Sequence, residues 1–195
     1  MNGYQITALP VVVPLGVLAF TVLLWRLRHH AALTFPRALT CAVLCVYGAG
    51  VVANTALPIT LGGDRNTQPW WTYLNLTPGM GTDPMDMLQN VAVFVPLGFL
   101  LPLLVRDAPA PRVALWGFLF SFGMEALQLA NAVLLNGGHV ADVNDLLANT
   151  LGAPLGYGLF RAARLVPAMD RLADAAGWPR PYRNETAAAA DPRPV

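Results

Sequence analysis

Ser121, Glu125 and Gln128 are spaced four and then three residues apart in an otherwise apolar stretch. A helix turns about 100° per residue, so these side chains fall within about 60° of one another, on one face. Glu125 is the only ionisable residue well inside an apolar run of this chain, and Ser121 is its only serine. A carboxyl in such surroundings can keep its proton at neutral pH, the state that general acid catalysis or a proton relay needs. The competing reading is a carboxyl hydrogen-bonded to Gln128 and to a neighbouring helix as a packing contact. Both remain open on the sequence.

A second polar group follows. The string from Asn136 to Asn149 begins with Asn-Gly-Gly, a turn signal, and continues through His139, Asp142 and Asp145. Asp142, Asp145 and Asn149 share a helical face at spacings of three and four. Two carboxylates at a helix start are what capping and the helix dipole favour, so a cap and a functional site are both open. His139 stands three residues before Asp142, and His with nearby acids can ligate a divalent ion, but the spacing matches no fixed ligand pattern. No metal and no cofactor are therefore expected. Further back, Asn90 opens an apolar run that contains Pro96 and Gly98. Pro96 frees the carbonyl of Ala92 and implies a kink, either to pack neighbours or to shape a site. The chain has no G-x-S-x-G, H-E-x-x-H or phosphate-loop signature.

The elements carrying these residues follow from composition. Of 195 residues, 55% are hydrophobic and 12% charged, about half the charge of an average soluble domain. So little charge cannot surface a water-soluble protein of this size, and the expected solvent is lipid. A spanning helix needs about 20 mostly apolar residues. Five segments meet that: 9–25, 38–61, 88–105, 113–135 and 143–160. The fold class expected is an all-α, polytopic transmembrane bundle. Ala148, Gly152 and Gly156 form a small-residue stripe that lets the last span pack tightly, placing Asn149 near the Glu125 face. Cys41 and Cys45, one helical turn apart, read as small buried side chains and not as a disulfide.

All twelve basic residues are arginine. They fall between spans one and two, between spans three and four, and after span five, except Arg65. Cytoplasmic loops retain arginine, so the N-terminus and residues 1–8 are expected outside and the C-terminus inside. A four-span arrangement would break this alternation. The N-terminus has no basic stretch and no convincing A-x-A site, so the first apolar run reads as a retained helix. Residues 166–195, rich in Ala and Pro, are expected to be a disordered cytoplasmic tail. Trp70, Trp71 and Tyr73 place the loop before span three at the outer lipid–water interface, as an anchor or a ligand platform. A net charge of +1 implies no nucleic-acid partner.

Taken in order, Asn75-Leu-Thr-Pro78, Asn90 to Pro102, Ser121 to Gln128 and Asp142 to Tyr157 resemble the VanZ-like family of bacterial integral membrane proteins, over roughly residues 40–162. The family typically carries Arg three residues before the first Asp, where this chain has His139, which lacks a permanent charge and a bidentate donor. The resemblance implies a multi-pass protein of the cell membrane and a link, through the founding member, to low-level resistance against glycopeptide antibiotics, teicoplanin in particular. It implies no established reaction. Two functions are carried forward. One is a pocket of Asn90, Ser121, Glu125, Gln128, Asp142, Asp145 and Asn149 that binds envelope lipid or glycopeptide. The other is an intramembrane enzyme acting on a lipid-linked substrate, with Glu125 as acid or base and Asp142, Asp145 and His139 assisting. Ion transport ranks last because spans one and two carry almost no polar residues. Oligomeric state is not readable from the sequence.

Overall fold

The computed structural model describes residues 4–61, 68–81, 83–135 and 140–179. Six helices carry the fold: α1 (Leu9–His29), α2 (Phe35–Ala56), α3 (Pro84–Leu104), α4 (Ala110–Leu135), α5 (Val143–Ala163) and α6 (Pro167–Ala176). Two short strand pairs tie the segments between them. β1 (Tyr4–Ile6) runs antiparallel to β2 (Ile59–Leu61), with Ile6 opposite Ile59. β3 (Leu74–Asn75) runs parallel to β4 (Ala141–Asp142), with Asn75 opposite Asp142. These pairs gather the starts of α1, α3 and α5 and the ends of α2 and α4 at one end of the bundle, the strand end. All the described arginines collect at the other, the arginine end, in the last turns of α1 and α5, the first turns of α2 and α4, the α3–α4 turn and α6.

Helices α1 to α4 are each long and apolar enough to cross a membrane, and with them the all-α membrane bundle stands. Their outward side chains are apolar: Val17, Val46, Phe120 and Phe122 are all exposed. Water would penalise such a surface and lipid does not. The expected fifth span falls in α5, which is as long as α3 but not among these four. The reason lies in its composition. Asn144, Asp145, Asn149, Thr150 and three glycines lower its hydropathy, and Asn144, Asn149, Gly152 and Gly156 are buried against the bundle. On its opposite side Leu147, Leu151, Leu155 and Leu159 form an exposed stripe at four-residue spacing.

α5 packs most extensively on α3 and next on α4. The small-residue stripe is what permits this. A methyl added at Gly98 would overlap the carbonyl of Ala153, and one at Gly156 the carbonyl of Val95. One at Gly152 would overlap the carbonyl of Val91 and come within 2.7 Å of Phe94 Cβ. Backbone thus meets backbone along the α3–α5 seam. Pro96 and Pro102 lie inside α3, and one turn before Pro96 the Val93 carbonyl accepts a hydrogen bond from Tyr47 Oη at 3.0 Å. Cys41 and Cys45 are both free thiols, Cys41 buried.

The tail expectation changes at its start. Residues 167–176 form α6, which lies across the arginine end against α2 and α3. Its Ala173 and Ala176 pack on Leu100, Leu103 and Phe160. Arg164 reaches over to Asp170 at 2.5 Å and Asp174 at 3.4 Å. The Trp178 N–H donates to the Leu103 carbonyl at 2.6 Å, and Arg37 Nε donates to the Gly177 carbonyl at 3.1 Å. Alanine content read as tail is therefore helix-forming once Arg164 and an apolar floor are beside it. Residues 180–195 lie outside the described residues.

Candidate functional site at the strand end

The polar residues of α4 and α5 meet where α4 ends and α5 begins. Asp142 is the N-cap of α5: its Oδ1 accepts from the Asn144 N–H at 2.7 Å and from Asn144 Nδ2 at 2.8 Å. The other oxygen, Oδ2, accepts from Asn75 Nδ2 at 2.9 Å. Asp142 thus does more than cap, since it also holds the loop that precedes α3. Its own backbone N–H donates to Glu125 Oε2 at 2.8 Å. Glu125 is 8% exposed, so the interior carboxyl of α4 is bonded to the first turn of α5 and not to Gln128.

The loop is fixed by a second set of bonds. Asn75 Oδ1 accepts from the Thr77 N–H at 3.1 Å, and Asn75 Nδ2 also donates to the Met80 carbonyl at 3.2 Å. Asn144 Oδ1 accepts from the Gly79 N–H at 2.7 Å. Gly79 and Gly81 both have positive φ, which lets the loop fold back on itself. At the start of α3, Asp83 Oδ1 accepts from the Met85 N–H at 2.8 Å as its N-cap.

The remaining candidates distribute as follows. Ser121 is fully buried and its Oγ donates to the Leu146 carbonyl at 3.4 Å. Thr150 Oγ1 donates to the same carbonyl at 2.6 Å. Asn90 of α3 faces the Asp145 carboxylate, which also feels the charges of Asp142 and Asp86. Gln128 Oε1 and Asn149 Oδ1 are buried with no hydrogen-bond partner among the described residues, and Asn149 is only 2% exposed. His139 lies outside the described residues. Among the described residues no three His, Cys, Asp or Glu side chains are grouped to hold a metal.

Asn75, Asn144 and Gly79 are members of this network that spacing did not single out. Asn75 stood inside a motif string and Asn144 between two aspartates. Two further buried polar groups, Thr55 and Asn131, mark the α2–α4 contact, where Asn131 Nδ2 donates to the Ala56 carbonyl at 3.2 Å.

Chemically, the network is a rigid polar plate. It presents one carboxylate, Asp142, saturated by three donors, and a second, Glu125, with one oxygen bonded and the other without a described partner. Two buried amide oxygens, Gln128 Oε1 on α4 and Asn149 Oδ1 on α5, have no hydrogen-bond partner among the described residues. Such an arrangement can orient a hydrogen-bonding ligand, or hold a proton on Glu125. A family model described as VanZ/LLP1 matches residues 44–165, more than half of the chain. Neither the curated proteins nor the solved structures give a match.

Proposed function

This chain belongs to the VanZ/LLP1 family, and from that premise we propose a membrane protein of the bacterial cell envelope whose strand-end network binds a polar group of an envelope lipid or of a glycopeptide antibiotic. The binding contributes to low-level resistance of the teicoplanin type. The observation that supports this reading most is the pairing of Asp142 with Asn75 across β3 and β4. It ties the loop carrying exposed Trp70 and Trp71 to the buried carboxyl of Glu125 through one backbone N–H. Interfacial aromatics beside fixed amides and carboxylates suit an amphipathic ligand arriving along the outer leaflet.

In this reading the strand end faces outside and the arginine end the cytoplasm. α5 is the fifth span, its leucine stripe to lipid and its polar face to α3 and α4. That orientation satisfies the arginine distribution. The test is teicoplanin susceptibility of a host expressing the full chain, Asn75→Ala or a vector. Raised tolerance with the full chain and none with Asn75→Ala, at equal membrane abundance, agrees with the proposal. Equal tolerance in all three hosts removes it.

A second reading, an intramembrane enzyme acting on a lipid-linked substrate, draws on Glu125 alone. Its second oxygen has no partner among the described residues, as is also true of the buried Gln128 Oε1 on the same helix and Asn149 Oδ1 on α5. Glu125→Gln separates the two: a general acid or base is lost, whereas a binding contact made by the bonded oxygen is retained.

A further inference from the structure

The arginine end contains a polar cavity and an apolar groove that share part of their lining. The cavity, about 420 Å³, lies between the ends of α3 and α5 and α6, and is lined by Arg106, Arg161, Arg164, Tyr157 and Asp107 among others. The groove, about 510 Å³, runs between α2, α3 and α6 and is lined by Leu39, Val43, Phe99, Met169 and Leu172. Leu103, Phe160, Arg164 and Ala173 belong to both walls.

The cavity wall carries three arginines and three aspartates, Asp107, Asp170 and Asp174, and two of the three acids are engaged by a single arginine. Arg164 already holds Asp170 and Asp174. Arg106 donates from one terminal nitrogen to the Asp174 backbone carbonyl. Arg161, exposed at the cavity wall, makes no hydrogen bond or ion pair among the described residues. Meanwhile Leu165, Val166, Met169 and Leu172 stand exposed in and just before α6. A ten-residue helix with a charged face toward Arg164 and an apolar face uncovered has the build of a helix lying in the membrane surface.

We propose that this end binds an anionic phospholipid of the adjoining leaflet, its phosphate taken by Arg161 and by the Arg106 donors that have no partner among the described residues, and one acyl chain laid in the groove beneath α6. Guanidinium forks suit phosphate oxygens, and basic pockets between helices on the cytoplasmic side attract anionic headgroups. The apolar groove is what commits the occupant to a lipid: a free phosphate would leave Val43, Phe99 and Leu172 uncovered. The site is separate from the strand-end network and stands or falls without it.

The test is native mass spectrometry of the purified full chain in non-ionic detergent, titrated with dioleoyl phosphatidylglycerol, dioleoyl phosphatidylcholine or inorganic phosphate. Phosphatidylglycerol should be retained over phosphatidylcholine, and phosphate should not displace it. Arg161→Gln should weaken retention roughly fivefold, the expected effect of one arginine near an anionic headgroup. Val43→Trp, at the exposed wall of the groove, should also lower it while helicity by circular dichroism is unchanged. Equal retention of the two lipids, retention indifferent to Arg161→Gln, or loss in the arginine variant but none in Val43→Trp would each overturn the proposal; the last would leave only an anion site.

Discussion

The Asp142 backbone N–H donates to Glu125 Oε2 at 2.8 Å, so the one carboxyl inside α4 is an acceptor for the first turn of α5. This relation changes what a glutamine at 125 should do. A glutamine keeps an acceptor oxygen in the same place, and its shape is nearly unchanged. Glu125→Gln should therefore fold with a melting temperature close to the parent, whereas Glu125→Ala should strand a buried N–H at about 1–3 kcal/mol. Thermal melts of the two variants in one detergent check the ordering. Glu125→Gln melting as low as Glu125→Ala would mean that the acceptor is not what matters there.

The Asn75–Asp142 contact predicts a coupling. Asp142→Asn would turn an amide toward Asn75 Nδ2, setting donor against donor, while still capping α5 through its oxygen. Each of Asn75→Ala and Asp142→Asn should lower stability by about 1 kcal/mol, and the double variant by clearly less than their sum. Strict additivity in a double-mutant cycle would show that the two side chains do not share one bond.

The α3–α5 seam separates glycines by function. Gly98, Gly152 and Gly156 have no room for a methyl, since each would strike a backbone carbonyl of the facing helix. Gly158, on the same helix as the last two, meets nothing within 4 Å. Gly152→Ala should lose at least 1–3 kcal/mol by overpacking, with a matching fall in folded yield. Gly158→Ala should be neutral, or stabilising by about 0.5–1 kcal/mol from helix propensity. Size-exclusion profiles after a graded heat step distinguish them.

Much of this fold was legible because lipid simplifies the rules. Apolar length alone locates α1 to α4, and the spacing of Ala148, Gly152 and Gly156 announces the tight seam. The face shared by Ser121 and Glu125 is buried as read, both side chains turning toward α5. What the sequence conceals is partnership across long separations. Nothing in the spacing of Glu125 indicates that its partner is a backbone N–H seventeen residues on, and Asn75 and Asp142 are 67 residues apart. Helix α6 was hidden differently. Its alanines resemble a linker until Arg164 and the floor formed by Leu100 and Leu103 are in place.

Orientation is open to a direct measurement. In a background with Cys41 and Cys45 replaced by alanine, single cysteines at Val140, Leu151 and Leu165 sample the strand end, the leucine stripe and the arginine end. A membrane-impermeant maleimide should label Val140→Cys in intact cells and Leu165→Cys only after permeabilisation. Leu151→Cys should resist in both, because lipid covers the stripe. Labelling of Leu165→Cys in intact cells would invert the topology, and ready labelling of Leu151→Cys would remove α5 from the membrane.

Asn149 provides the sharpest opposition between stability and function. Its Oδ1 is buried without a partner among the described residues, a condition that costs about 1–3 kcal/mol in a folded chain. Leucine at that position has a similar volume and no polar atom to satisfy. If Asn149 is retained for a ligand, Asn149→Leu should raise the melting temperature by a few degrees and abolish tolerance to teicoplanin in the host assay. Natural proteins retain such costly groups where function requires them. A variant that gains stability and keeps full tolerance would show that the oxygen serves no ligand, and would confine the binding site to the outer plate formed by Asn75, Asp142 and Asn144. A variant that loses stability would mean that the amide nitrogen of Asn149, not its oxygen, is the group the packing depends on.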